Sequence, residues 1–234
     1  MRILKRSIVY FLLIVTALIM FFPIIYALMV SFMTGGEILQ GKFLPSSFSF
    51  DNYVKVFDRL PLLNYLINSF IVSFGVMLGQ LVVCSLAAYA FVFIPFKGRD
   101  FVFFLFISTM MIPWEATMIP NFFTIQNLNW LNTYQGMTLP FFALAFGTFL
   151  LRQHFKTIPK ELHEASQIAG LSRFAFFFRV ILPVSKTSLV TLGAYGFLTT
   201  WNMYLWPLLV TTNNSVRTVQ IGLKQLQSQE VATE

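Results

Sequence analysis

Apolar residues in this chain come in long runs, and polar residues gather between them. A helix that crosses a bilayer needs about 20 mostly apolar residues. By that measure the sequence predicts five spans, at about residues 8–33, 66–94, 101–118, 134–151 and 184–211. The first, Ile8–Met33, follows Arg2, Lys5 and Arg6 and so resembles a secretion signal. Such signals carry only about 7–15 apolar residues and end at a small-residue cleavage site. This run continues through Pro23 to Phe32 without one, which predicts a retained helix. Between the spans lie a polar loop over 34–65, a basic turn at Pro95–Asp100, an Asn-rich loop over 119–133 and a long polar interruption over 152–183. A polar tail follows residue 211. The pattern predicts an all-α membrane protein, with one transmembrane domain over 1–234.

Composition agrees: 57% of residues are hydrophobic, 18% aromatic and only 11% charged, with 29 Phe. A soluble domain carries about twice that charge. The net charge of +7 raises the question of nucleic acid, but the basic residues sit between apolar runs and form no patch. They read as topology instead, because Lys and Arg collect on the cytoplasmic side. With the N-terminus inside, eleven basic residues are cytoplasmic (Arg2, Lys5, Arg6, Lys97, Arg99, Arg152, Lys156, Lys160, Arg173, Arg179 and Lys186). Five are outside: Lys42, Lys55, Arg59, Arg217 and Lys224. The interruption over 152–183 is then cytoplasmic and the loop over 34–65 external.

Classical sites are not expected. Cys84 is the single cysteine and lies in an apolar run, so there is no disulfide framework. His154 and His163 have no metal-ligand spacing around them. Neither lies in a span beside a Ser, as intramembrane hydrolysis would require. No G-x-x-x-x-G-K-[ST] phosphate loop is present, so the chain does not bind ATP by that device.

The cytoplasmic interruption carries the most information. It reads Lys160-Glu161-Leu162-His163-Glu164-Ala165-Ser166-Gln167-Ile168-Ala169-Gly170 and runs on to Val180-Ile181-Leu182-Pro183. Pro159 suits a first helical turn, and Glu161 and Glu164 suit the positive end of the helix dipole. Leu162, Ala165, Ile168 and Ala169 recur at helical spacing and make one apolar face. Gly170 can end the helix in a left-handed cap. A second helix can run through Arg173–Arg179, with Pro183 breaking it before the fifth span. A surface-lying amphipathic helix is the alternative, but such helices carry large apolar anchors on a long stripe.

This segment resembles the EAA loop of permease subunits in binding-protein-dependent ABC importers, which reads E-A-A, three residues, G, nine residues, I-x-L-P. Glu164, Ala165, Gly170, Leu182 and Pro183 fall on that pattern, while Ser166 replaces the second Ala and Val180 the Ile. The resemblance implies a coupling helix that docks on a separate ATPase, with Glu161, Glu164, Ala165, Ser166, Gly170, Leu182 and Pro183 as coupling residues and Glu164 in a salt bridge. It implies that ATP and Mg are bound by the partner and no cofactor by this chain. It further implies a second homologous permease, a dimer of ATP-binding subunits, an extracellular or periplasmic substrate-binding protein, and a place in the bacterial plasma (inner) membrane. The family usually has six spans. Here the chain stops at Gln227–Glu234, where the last helix would begin, which points to a truncated chain.

Two further places are candidates for the substrate pathway. Glu115 lies near the end of the third span, where an ionisable residue marks function by default; solvation at the outer interface is the plain alternative. Asn202, Tyr204 and Trp206 lie in Trp201–Leu209, which an aromatic belt alone would also explain. Both segments, with Thr148–Phe155 and Leu182–Thr187, resemble the maltose-type carbohydrate and glycerol-3-phosphate permeases. That predicts transport of a carbohydrate or a solute such as glycerol-3-phosphate. A stand-alone secondary carrier is the other reading; it predicts an internal repeat, and none is found. Gly75 and Gly79 in the second span form a GxxxG pair that can bring two helices close.

Overall fold

A computed structural model describes residues 2–231, with side chains described for 6–228. The Arg2 and Lys5 side chains used in the charge count, and terminal residues 232–234, lie outside the described residues. Among the described residues every regular element is a helix. The chain divides into two compact units, 1–62 and 63–234.

The first unit holds α1 (Arg2–Ser31), α2 (Gly35–Leu39) and α3 (Asp51–Arg59). Within α1, Arg6–Ser31 is long and apolar enough to cross a membrane, with mean hydropathy 2.8. Its apolar side chains from Ile8 to Ile25 are exposed, as a lipid-facing helix requires. The segment after it folds around Glu37. That carboxylate accepts from the Thr34 N–H at 2.9 Å and the Ser46 N–H at 2.9 Å. These donors hold its pKa down to about 2.

The second unit opens with α4 (Leu62–Phe93), a span of 32 residues. At about 1.5 Å per residue it is longer than the bilayer core is thick. The other candidate spans are bent helix pairs. α5 (Arg99–Ser108) runs through a 3₁₀ turn, Thr109–Met111, into α6 (Trp114–Asn127) with a bend of 99°. The bend follows from Pro113, which holds Ile112 extended at φ −87° and ψ 116°. The sequence predicts a straight span over 101–118 and a loop over 119–133, whereas α6 occupies 114–127 as a separate helix. α7 (Tyr134–Thr138) and a 3₁₀ turn, Leu139–Phe141, meet α8 (Ala145–Lys156) at 46°.

After α8 come α9 (Lys160–Ile168), α10 (Arg173–Phe176), a π turn (Phe177–Ile181) and α11 (Leu182–Val184). An 80° bend at Ser185 leads into α12 (Lys186–Trp201). Pro183 therefore does not end the helix, as the sequence predicts; the turn comes two residues later. The widened π turn lies just before Pro183, where the ring would otherwise clash with the carbonyl four residues back. The predicted fifth span also contains a break at 202–204, before α13 (Leu205–Val210).

α14 (Val219–Val231) begins eight residues ahead of Gln227, where the sequence predicts a last helix to start. It escapes a hydropathy reading because its apolar residues alternate with Gln, Lys and Ser. It is seated through its first turn: the Val219 N–H donates to Ser69 Oγ at 2.8 Å, and Val219 and Ile221 are buried.

Two apolar cores organise the unit. One joins Cys84, Ala88 and Tyr89 of α4 to Leu151 and Phe155 of α8, Phe176 and Phe177, and Leu192 of α12. The other joins Val72 of α4 to Ile125, Met137, Trp206 and Val210. The GxxxG pair serves the close approach its spacing suggests. A Cβ on Gly79 would overlap the Phe142 ring, and one on Gly75 would lie 3.6 Å from Thr138 Cγ2.

Candidate functional site

α9 is nine residues long and bounded at both ends by residues the sequence picks out. Pro159 stands just before it with φ −56° and ψ 136°, and Glu161 occupies the first turn. At the other end Gly170 takes φ +69°, which only glycine adopts freely. The Leu171 N–H reaches back to Ser166 O at 2.9 Å and the Gly170 N–H to Gln167 O at 3.0 Å, a Schellman closure. Ser172 then caps the next helix, its Oγ accepting from the Ala175 N–H at 3.2 Å.

The orientation of α9 is the informative part. Ser166 is buried and His163 half-buried; its other seven residues are exposed. Ser166 spends its hydroxyl on the His163 carbonyl at 2.6 Å. The apolar face foreseen from spacing therefore points away from the rest of the chain. Leu162 is 39% exposed and Ile168 90% exposed, with Ala165 and Ala169 beside them. Glu161 and Glu164 share this outward disposition. Leu182 packs half-buried against the α4–α8 core, and Pro183 is exposed.

Two neighbours of this segment went unread in the sequence. Arg152, counted only as a topology charge, is buried; its Nη2 donates to Asp100 Oδ1 at 2.9 Å and its guanidinium lies 3.8 Å from the Phe103 ring centroid. It braces α8 against the start of α5. His163 sits between Phe93 and Phe176, with ring centroids 5.6 and 4.9 Å away. The Arg152–Asp100 pair had a sequence signal, the one Asp that closes the basic turn; His163 had none.

The second candidate region gathers around the break at 202–204. Asn202 is exposed; its amide donates to Leu198 O at 2.8 Å and its Oδ1 accepts from Gln220 Nε2 at 3.5 Å. Tyr204 is half-buried. Trp206 is fully buried: its indole N–H donates to Gly136 O at 3.1 Å. Trp114 and Phe141 meet it edge-on at 5.6 and 6.0 Å. Trp114 is the first residue of α6, so the same cluster fixes the 99° bend and leaves the adjacent Glu115 exposed. Glu115 thus follows one member of this aromatic cluster in the chain, Asn202 and Tyr204 precede another, and Trp206 lies at its centre. Buried Asn68, which the hydropathy pattern hides, holds the turn beyond: its amide donates to Ser215 O at 2.8 Å and Arg217 O at 2.9 Å, and its Oδ1 accepts from Tyr134 Oη at 2.7 Å.

Residues 80–231, which include α9 and the break at 202–204, match the family described as binding-protein-dependent transport system inner membrane component. The chain belongs to this family. It is similar to the sn-glycerol-3-phosphate transport system permease protein UgpE of Yersinia pestis bv. Antiqua, 35% identical over 222 residues that cover 92% of this chain and 79% of the relative. The corresponding UgpE of Agrobacterium fabrum is 36% identical over 234 residues, covering 96% and 83%. A crystal structure of a bacterial ABC transporter involved in the import of the acidic polysaccharide alginate contains a chain with TM-score 0.80 and 27% identity, over 95% of this chain and 79% of that one. This inner membrane component is therefore a permease with the fold of an ABC importer subunit, as the resemblance at Glu164–Gly170 and Leu182–Pro183 implies.

Proposed function

We propose that this permease forms half of the translocation pathway of an ATP-driven importer for sn-glycerol-3-phosphate or a related small polar solute. α9 docks on a separate ATP-binding subunit, which binds ATP and Mg; a second permease supplies the facing half, and a binding protein delivers the solute from outside. One observation carries this reading: the apolar face of α9, with Ile168 90% exposed, has no cover within its own unit. Covering such a side chain contributes about 1.5–3 kcal/mol. Glu161, Glu164, Ala165, Ser166, Gly170, Leu182 and Pro183 form or shape this docking element. The glycerol-3-phosphate assignment rests on the names of the relatives. Glu115, Asn202 and Tyr204 face the pathway, with Trp206 behind them. A broken helix with exposed polar groups is how transporters commonly meet polar cargo.

Reconstitution tests the reading. Liposomes holding this chain, its partner permease, the ATPase and the binding protein should take up glycerol-3-phosphate only with ATP. Uptake by the isolated chain driven by an ion gradient would overturn the importer reading in favour of a carrier. The N-terminus and residues 152–183 are cytoplasmic and residues 34–65 external, from the charge bias. In a Cys84-free background, an impermeant thiol reagent should label Ser46→Cys in intact cells and not Ser172→Cys; the reverse pattern would sink this topology.

A further inference from the structure

α9 is attached to the rest of its unit in an unusual way. Its C-terminal turn is closed by its own backbone, and of its two inward side chains Ser166 hydrogen-bonds only the His163 carbonyl of the same helix. The other inward side chain is the His163 ring, wedged against Phe93, the last residue of α4, and Phe176 of α10. Phe93 and Phe176 also meet each other edge-on at 5.4 Å. α10 is in turn tied to α4, since Tyr89 Oη donates to Arg173 O at 3.0 Å and the Tyr89 ring packs on Phe177 at 5.1 Å. Phe93, Tyr89, Phe176 and Phe177 thus make one platform, and His163 is the plug set into it.

Open space flanks the plug. A cavity of about 350 Å³ lies toward Lys160 and Glu164, and another of about 390 Å³ toward Gln167 and Leu171; His163 borders both. His163 is held by packing: its Nδ1 is buried with no hydrogen-bond partner, and its Nε2 meets only Gln167 of the same helix at 3.2 Å.

We propose that His163 is the positioning residue through which α9 transmits movement to α4: a pivot whose ring grips the platform so that α9 and the end of α4 move together. This rests on the reading of α9 as the ATPase-docking element. The ring supplies shape, so Phe can replace it and Ala cannot. Coupling that runs through a few packed side chains is sensitive to the loss of one of them.

The test uses the assembled transporter with its ATPase and binding protein. H163A should keep the ATPase bound but lower the glycerol-3-phosphate imported per ATP hydrolysed by about three- to tenfold, and H163F should restore it to within about twofold of wild type. A readout independent of cargo is the distance between spin labels at Lys160→Cys on α9 and Lys97→Cys beyond α4. On trapping with ATP and vanadate it should stay fixed in wild type and H163F and change in H163A. A wild-type ratio with a fixed distance in H163A, or an H163F as impaired as H163A, would overturn the pivot. If H163A does not assemble, H163F alone decides. Failure of the docking reading would appear elsewhere, as ATPase association that survives I168D.

Discussion

The two polar interruptions of this permease dispose their apolar residues in opposite ways. In α9 the apolar side chains face outward, and the His163 ring packs inward on Phe93 and Phe176. Around residues 202–204 the aromatic side chains turn inward, Trp206 completely, and an amide and a carboxylate are left exposed. Both segments mix apolar and polar residues, so composition does not separate them. Burial does. A segment that leaves Ile168 uncovered fits the proposed docking on an ATP-binding subunit, since a larger exposed apolar face marks a site of interaction. A segment that buries its Trp and exposes Asn202 and Glu115 has its apolar part packed within its own unit and leaves polar groups free for the proposed pathway. Transport joins the two, and α4 runs from one to the other: Val72 belongs to the Trp206 core, and Tyr89 and Phe93 belong to the platform beneath α9.

This contrast can be broken at either end. The largest effect is expected for W206A, which empties the inner core and leaves the Gly136 carbonyl without its donor. It should destabilise the permease by about 3–5 kcal/mol, seen as a lowered midpoint in detergent unfolding, while α9 keeps its ATPase-binding surface. A W206A variant as stable as wild type would show that Trp206 does not hold the break together. E164K should leave insertion and stability unchanged but weaken ATPase association about tenfold, since an attractive contact becomes repulsive; wild-type association would remove Glu164 from the interface. N202A, at the exposed side of the break, should change stability little and lower the uptake rate about fivefold, the worth of one hydrogen bond to a polar solute. Unchanged uptake would take Asn202 out of the pathway.

Much of the α9 segment was legible in the sequence because its signals are local. The apolar spacing of Leu162, Ala165 and Ile168, the acidic first turn and Gly170 are all read within one helix, and the structure places its ends at Lys160 and Ile168. The spans at α1 and α4 were legible for a similar reason, since a long apolar run has few alternatives. The bends at Pro113 and Ser185 were not, because hydropathy summed along a window is blind to direction. α6 was hidden by Asn121, Gln126 and Asn127, which lower hydropathy without preventing a helix. The burial of Trp206 depends on Gly136, 70 positions away, and an anchoring Trp and a core Trp look alike in sequence. Asn68 and Ser69 likewise act on Ser215–Val219 across the fold, at a distance no local pattern spans.

The outward face of α9 can be tested most directly by measuring the affinity of the purified ATP-binding subunit for this permease, paired with its partner in nanodiscs, with Ile168 and with I168D. Ile168 is 90% exposed, so the substitution costs the isolated permease nothing in packing. Placing an unpaired carboxylate where an apolar contact is to be buried should weaken binding about 30-fold or more, with the unfolding midpoint of the permease unchanged. Equal affinities for the two proteins would contradict the docking of α9 through its apolar face.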